Sequence, residues 1–104
     1  KQYQIVLVNL DPTLGSEMKK TRPCVIVSPD EMNRYLQTIV IAPMTSTSKS
    51  YPTRVPVRYG RGKGWVVLDQ IRTIDRRRIV KILDNLTRKE IEAVKSVIHE
   101  TFVA

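Results

Sequence analysis

The 104-residue sequence has one cysteine, one histidine, one tryptophan, one phenylalanine and four glycines. A lone cysteine excludes an internal disulfide and cannot build a zinc site by itself. Cys24 sits in the apolar segment PCVIV, where a small buried hydrophobe is the expected role and a nucleophile is not. No segment approaches the roughly 18 apolar residues that a membrane-crossing helix needs. The apolar residues 5–8 are far too few for the h-region of a signal peptide. There is no internal repeat and no low-complexity tail. These absences lead to the expectation of one domain over residues 1–104, cytoplasmic, with no membrane partner, no metal and no cofactor.

Acids are also scarce. Lys and Arg number 18 against 10 Asp and Glu, a formal charge of +8 with a pI near 10.0. A field of that sign draws polyanions, either nucleic acid or an acidic polypeptide, and charge alone does not separate the two. Binding to an anionic membrane calls for a basic amphipathic helix, whereas the one good helix pattern here carries mixed charge.

What is present reads mainly as β-structure. Residues 3–10 (YQIVLVNL) are rich in β-branched side chains and predict a first strand. Residues 23–27 predict a second, apolar throughout and so buried on both faces. In SPDE, Ser28 stands at a cap position before Pro29, with Glu31 at the capping-box site, which predicts a short helix over residues 29–35. Residues 38–42 (TIVIA) predict a third strand ending at Pro43, followed by a hydroxyl-rich loop from Met44 to Thr53. Residues 54–59 alternate in the manner of an edge strand that tolerates Pro56. Three of the four glycines fall in the turn GRGKG, residues 60–64. Residues 65–69, 71–74 and 79–83 predict further short strands, with DRRR, residues 75–78, as a tight basic bend. TRKE, residues 87–90, is a second capping box, and Ile91, Val94, Ile98 and Phe102 follow on one helical face. Short strands separated by frequent turns and closed by one helix predict a small, partly open β-barrel.

The segment DPTLGSEMKKTRP, residues 11–23, is longer than most hairpin loops require. It is followed by VIVSPDEMN, then IAPMTSTSKSYP, then VVLDQIRTIDRRR. These four motifs, in this order and spread over nearly the whole chain, resemble the MazF/PemK/Kid family of toxins. The resemblance implies an SH3-like barrel with short helices and a C-terminal amphipathic helix, the MazF/PemK/CcdB-like fold. It also implies a symmetric homodimer that cleaves single-stranded mRNA at short sequences and is inhibited by a cognate acidic antitoxin.

RNA carries its own nucleophile, because a ribose 2′-hydroxyl can attack the neighbouring phosphorus. An enzyme then has only to hold the chain in line, neutralise charge on the phosphoryl oxygens and supply a proton to the departing 5′-oxygen. Arg22, in TRP, matches the arginine that the family places at the scissile phosphate, and its planar fork of donors suits phosphate. Pro23 restricts Arg22 to extended geometry. Guanidinium groups stay protonated, so its role is charge stabilisation rather than base catalysis, with proton donation to the departing oxygen as a second role left open. Thr45, in APMTS, matches the family's second active-site residue and has Ser46 beside it. Without the resemblance, Thr45 reads as a local turn residue.

The 11–23 loop then reads as a flap over an RNA groove, hinged at Gly15, with Ser16, Glu17, Lys19 and Lys20 near substrate. The two lysines contact phosphates without reading sequence. For Glu17 two roles stay open, accepting the 2′-hydroxyl proton or contacting a base edge, beside that of an ordinary solvated acid. Gln70 and Arg72 share strand parity and are expected on one face, where they reach a base edge or a phosphate. Asp69 matches an acid that some members use in the site. Those members carry an arginine two positions earlier, where this chain has Val67, and others carry a histidine in the first loop, where it has Ser16. His99 is expected to be exposed or half-packed. Tyr59 and Trp65 are either base-stacking platforms or, more simply for Trp65, core. The same fold class also admits a barrel that binds nucleic acid without cutting it, or a CcdB-like gyrase inhibitor. The Arg22 and Thr45 pair discriminates, because a pure binder requires neither.

Overall fold

The computed structural model describes residues 1–10, 21–47 and 50–103. Strands β1 (Gln4–Asn9) and β2 (Thr21–Ile26) are followed by a short helix α1 (Asp30–Tyr35). Then come β3 (Thr38–Thr45), β4 (Arg54–Tyr59), β5 (Gly62–Val67), β6 (Arg72–Asp75), β7 (Ile79–Asn85) and helix α2 (Arg88–Phe102). Two 3₁₀ turns, Leu68–Gln70 and Arg76–Arg78, flank β6. All strand pairs are antiparallel, in the order β4-β5-β3-β2-β1-β7, and β6 also pairs with β3.

The curl of this sheet has a local cause. Along β3, Ile41 pairs with Arg72 and Met44 pairs with Val66. Between those two pairings the opposite chain fits in extra residues, and it does so by winding Leu68–Gln70 into a 3₁₀ turn. Such a large bulge bends the sheet and increases its twist. Pro43 falls in the gap between the two pairings, where no ladder hydrogen bond is asked of it. β3 therefore runs through Pro43 to Thr45 instead of stopping there.

The central strands are buried on both faces, as alternation requires. Ile5, Val25, Ala42 and Met44 face a cluster with Val55, Val57, Val66, Leu68, Leu86 and Val94, and α2 covers it through Ile91, Val97 and Ile98. Val6, Val8, Cys24, Ile26, Ile39 and Ile41 face a second cluster with Ile74. β4 is an edge strand without open donors. Its outward N–H groups at Arg54 and Arg58 bond the Tyr51 carbonyl and the Glu90 carboxylate, Pro56 has no N–H to offer, and Gly60 just beyond the strand donates to the Asp84 carboxylate. Gly60 turns the β4–β5 hairpin at φ 54°, where a side chain would be strained.

Beyond the passage of β3 through Pro43, other local expectations change, and the strand expected over 65–69 becomes the end of β5 and the start of the 3₁₀ turn. Ser28 does not cap α1. Pro29 takes the cap position, while the buried Ser28 hydroxyl donates to Asn33 and accepts from the Val40 N–H at 3.1 Å, tying α1 to β3. The GRGKG turn is shorter than expected, because β5 already begins at Gly62. Gln70 and Arg72 do not share a strand face, because Gln70 ends the 3₁₀ turn and β6 starts at Arg72. Phe102 is 58% exposed, because the last turn of α2 runs beyond the cluster that Ile91, Val94 and Ile98 cover. The Thr87 capping box forms as expected, with the Thr87 hydroxyl accepting from the Glu90 N–H and the Glu90 carboxylate accepting from the Thr87 N–H.

Candidate active site

The β2–β3 ladder runs Ile26–Ile41, Val25–Ala42 and Cys24–Pro43, and then stops. Continued two residues further, the same register sets Arg22 opposite Thr45. Pro23 has no N–H to extend the ladder. In place of a backbone bond, the Arg22 side chain crosses the gap and donates from Nε to the Met44 carbonyl at 2.6 Å. This contact orients the guanidinium, and among the described residues none takes its two terminal nitrogens. Where the strands part, a pocket of about 490 Å³ opens, lined by Arg22, Pro23, Met44, Thr45, Ser46 and Tyr59.

Arg22 and Thr45 are half-buried and Ser46 is exposed. The Thr45 hydroxyl closes a small turn, donating to the Thr47 carbonyl at 3.0 Å and accepting from its N–H at 3.4 Å. Engaging a phosphate therefore requires this hydroxyl to exchange a local bond for one to the ligand. Gly64 helps the pocket close-pack. A Cβ there would lie 3.1 Å from the Thr45 carbonyl oxygen and 3.7 Å from the Tyr59 ring.

Cys24 is sealed in the second cluster. Burial pushes its thiol up to about 12, against the opposing pull of the Arg22 and Arg72 charges, so it is no nucleophile. Arg72, exposed on β6, pairs with Ile41, and Ile41 pairs with Ile26, which shares its strand face with Cys24 and Arg22, so Arg72 lies on the same side of the sheet as Arg22. Asp69 and Gln70 are exposed on the 3₁₀ turn and neither lines the pocket. Asp69 accepts from the Thr53 hydroxyl at 2.9 Å and lies 3.7 Å from the Arg54 Nε. Ser16, Glu17, Lys19 and Lys20, like Gly15, lie outside the described residues. His99 is exposed on α2. Trp65 is half-buried and lines a separate groove with Arg58, Lys63, Lys89 and Ser46, so it is not simply core. Tyr59 was legible only as a stacking candidate, and nothing in its sequence neighbourhood signals that β4 ends at the pocket. Among the described residues, no three His, Cys, Asp or Glu side chains gather as a metal-binding set, and no helix is long and apolar enough to cross a membrane.

A curled antiparallel half-barrel with an oriented arginine facing a threonine across a strand gap defines a small protein able to hold a phosphodiester. Comparison with known proteins places it more closely. The profile of PemK-like, MazF-like toxins of type II toxin–antitoxin systems matches residues 1–102. The chain is 32% identical to an endoribonuclease MazF of Staphylococcus saprophyticus, over 94% of this chain and 87% of that one. It is similar to a MazF crystal structure from Deinococcus radiodurans, with a TM-score of 0.81 and 25% identity over 99% of this chain and 96% of the other. A MazE–MazF complex from the same organism matches at a TM-score of 0.79 and 26% identity, over 94% and 90% of the two chains. The chain belongs to the PemK-like, MazF-like family, the endoribonuclease toxins of type II toxin–antitoxin systems.

Proposed function

We propose that this chain, acting as one toxin domain in the cytoplasm, cleaves single-stranded mRNA by in-line attack of a ribose 2′-hydroxyl, leaving a 2′,3′-cyclic phosphate. The observation that carries this reading is Arg22, pinned through Nε to Met44 directly across the strand gap from Thr45. Its terminal guanidinium nitrogens neutralise the phosphoryl oxygens as charge gathers there, and the Thr45 hydroxyl fixes the in-line geometry. Arg72 and Ser46 contact flanking phosphates, and Gln70 and Asp69 contact the bases or ribose beyond them. Ser16, Glu17, Lys19 and Lys20 complete the substrate contacts. Cation and hydroxyls take the roles a metal plays elsewhere, so cleavage persists in EDTA.

A cognate acidic antitoxin neutralises the toxin. The +8 charge of the chain and the antitoxin complexes solved for related toxins support this. The active form is a homodimer. In support, the second cluster opens onto a face lined by Val6, Ile26, Ile39, Ile79 and Ile82, with Val80 and Ile82 54% and 60% exposed on β7.

Incubating the protein with a long single-stranded transcript in EDTA tests the reading. Discrete fragments ending in 2′,3′-cyclic phosphate, lost in Arg22→Ala with folding intact, are expected, and mapping their 5′ ends gives the recognised sequence. RNA that is retarded but uncut would make the chain a binding barrel, and indifference to RNA would point to a protein target.

A further inference from the structure

Cleavage by a 2′-hydroxyl also demands a proton for the departing 5′-oxygen, and the matches of Arg22 and Thr45 leave its donor open. Among the described residues, six line the pocket: Arg22, Pro23, Met44, Thr45, Ser46 and Tyr59. Proline and methionine carry no exchangeable proton on their side chains. A guanidinium releases its proton more reluctantly than a phenol, and aliphatic hydroxyls are weaker acids still. Among the described residues, no histidine, cysteine, aspartate or glutamate lines the pocket. Among the described residues of the wall, Tyr59 alone carries a phenol.

Its placement fits that task. Tyr59 ends β4 opposite Gly62, and its ring packs against the first core cluster. The absent side chain of Gly64 opens the space in which the ring, the Met44 methyl and the Thr45 carbonyl lie together. A Cβ at Gly64 would stand 3.7, 3.4 and 3.1 Å from these groups, respectively. The apolar body is thus held in the core while the side chain forms a wall of the pocket, the arrangement in which a tyrosine hydroxyl is kept for a polar partner. Among the described residues none takes that hydroxyl in a hydrogen bond, and it is not a sealed polar atom.

We propose that Tyr59 is the general acid of the cleavage, a catalytic residue beside Arg22 and Thr45; the inference rests on the ribonuclease reading above. The 2′-oxygen forms its bond to phosphorus as its proton passes to water. The bond between phosphorus and the 5′-oxygen breaks, and the Tyr59 hydroxyl gives its proton to that oxygen. Water returns a proton to the phenolate. The products are a 2′,3′-cyclic phosphate and a 5′-hydroxyl, with no net change in protons. Arg22 is left to charge stabilisation, the one role for which a permanently protonated group is suited.

The test compares Tyr59→Phe, which keeps the packed ring and removes only the hydroxyl, on two RNA oligonucleotides containing the mapped cleavage sequence. One is ordinary RNA. The other carries sulfur in place of the bridging 5′-oxygen at the cut, and its thiolate departs without needing a proton. Tyr59→Phe is expected to lower the single-turnover rate on ordinary RNA by about a hundredfold or more, the usual range for a general acid, with binding unchanged. On the sulfur substrate it is expected to match the unaltered protein within about threefold, whereas Arg22→Ala stays slow on both. A Tyr59→Phe protein that cuts ordinary RNA at the unaltered rate would overturn the assignment. So would an equal loss on both substrates, which would make Tyr59 a wall only. If the unaltered protein cuts neither RNA, the ribonuclease reading itself has failed, and that outcome is distinct from a Tyr59 result.

Discussion

At the scale of single residues, the site turns on how one arginine is held. Arg22 spends its Nε–H on the Met44 carbonyl, and among the described residues none takes its terminal nitrogens. A lysine has no planar fork and cannot hold the carbonyl while presenting two parallel donors to a phosphate. Arg22→Lys, although it preserves charge, is expected to lose about a hundredfold in single-turnover rate, the scale of one misplaced charge-stabilising donor. Its melting temperature should stay within a few degrees of the unaltered protein. A lysine variant cutting at full rate would mean that charge alone suffices and that the Met44 contact is incidental. Arg22 and Thr45 were each readable from their motifs. That they face one another was not, because it depends on the Cys24–Pro43 register between strands separated by a helix. Tyr59 was harder still, since it reaches the pocket only through the β4–β5 hairpin and the missing side chain of Gly64.

At the scale of elements, local chemistry explains where the sequence was legible. Helix α2 begins where a reciprocal capping box satisfies two otherwise unpaired N–H groups. Thr87→Ala is expected to cost about 1 kcal/mol. For a domain of this size that corresponds to a fall of about 4–8 °C in melting temperature, measurable by thermal unfolding. The basic bend is capped in the same way. Asp75 accepts from the Arg77 backbone N–H and pairs with its guanidinium at 2.9 Å, and these contacts hold its carboxyl down to about 2. A carboxyl lowered on folding stabilises the native state above its ordinary value, and that contribution fades as pH falls from about 4 toward 2. Asp75→Asn should therefore melt lower than the unaltered protein at pH 7 and converge with it at pH 2, the difference shrinking in salt because the pair is exposed. Asp84, held low by the N–H groups of Asn85 and Gly60, gives both proteins a shared residual acid dependence. The misreadings were also local rules overruled by tertiary partners. The Ser28 hydroxyl went to Asn33 and Val40 instead of a helix end. Pro43 failed to stop β3 because it fell where neither β5 nor β6 pairs. Gln70 left its expected strand because the sheet turns its corner at Leu68–Gln70.

At the scale of the whole molecule, the excess of cations makes ionic strength the broadest probe of what the surface binds. Each phosphate neutralised by a lysine or arginine releases condensed counterions, so affinity for single-stranded RNA falls with salt in proportion to the contacts made. Arg22 and Arg72 lie on one side of the sheet by strand register, and Arg58, Lys63 and Lys89 rim the groove that shares Ser46 with the pocket. If three of these cations meet phosphates, the logarithm of the binding constant should fall with the logarithm of salt concentration at a slope of about −2. A 2′-O-methyl oligonucleotide, which lacks the attacking hydroxyl, allows the measurement by fluorescence anisotropy without cleavage. Arg22→Ala should flatten the slope by about 0.7, one contact's share, whatever the sequence of the oligonucleotide. Lys95→Ala, on the exposed face of α2 away from the lining of both pockets, should leave it unchanged. A slope near zero in the unaltered protein would show that the positive field plays no part in holding RNA, and would leave the excess charge to the acidic antitoxin alone.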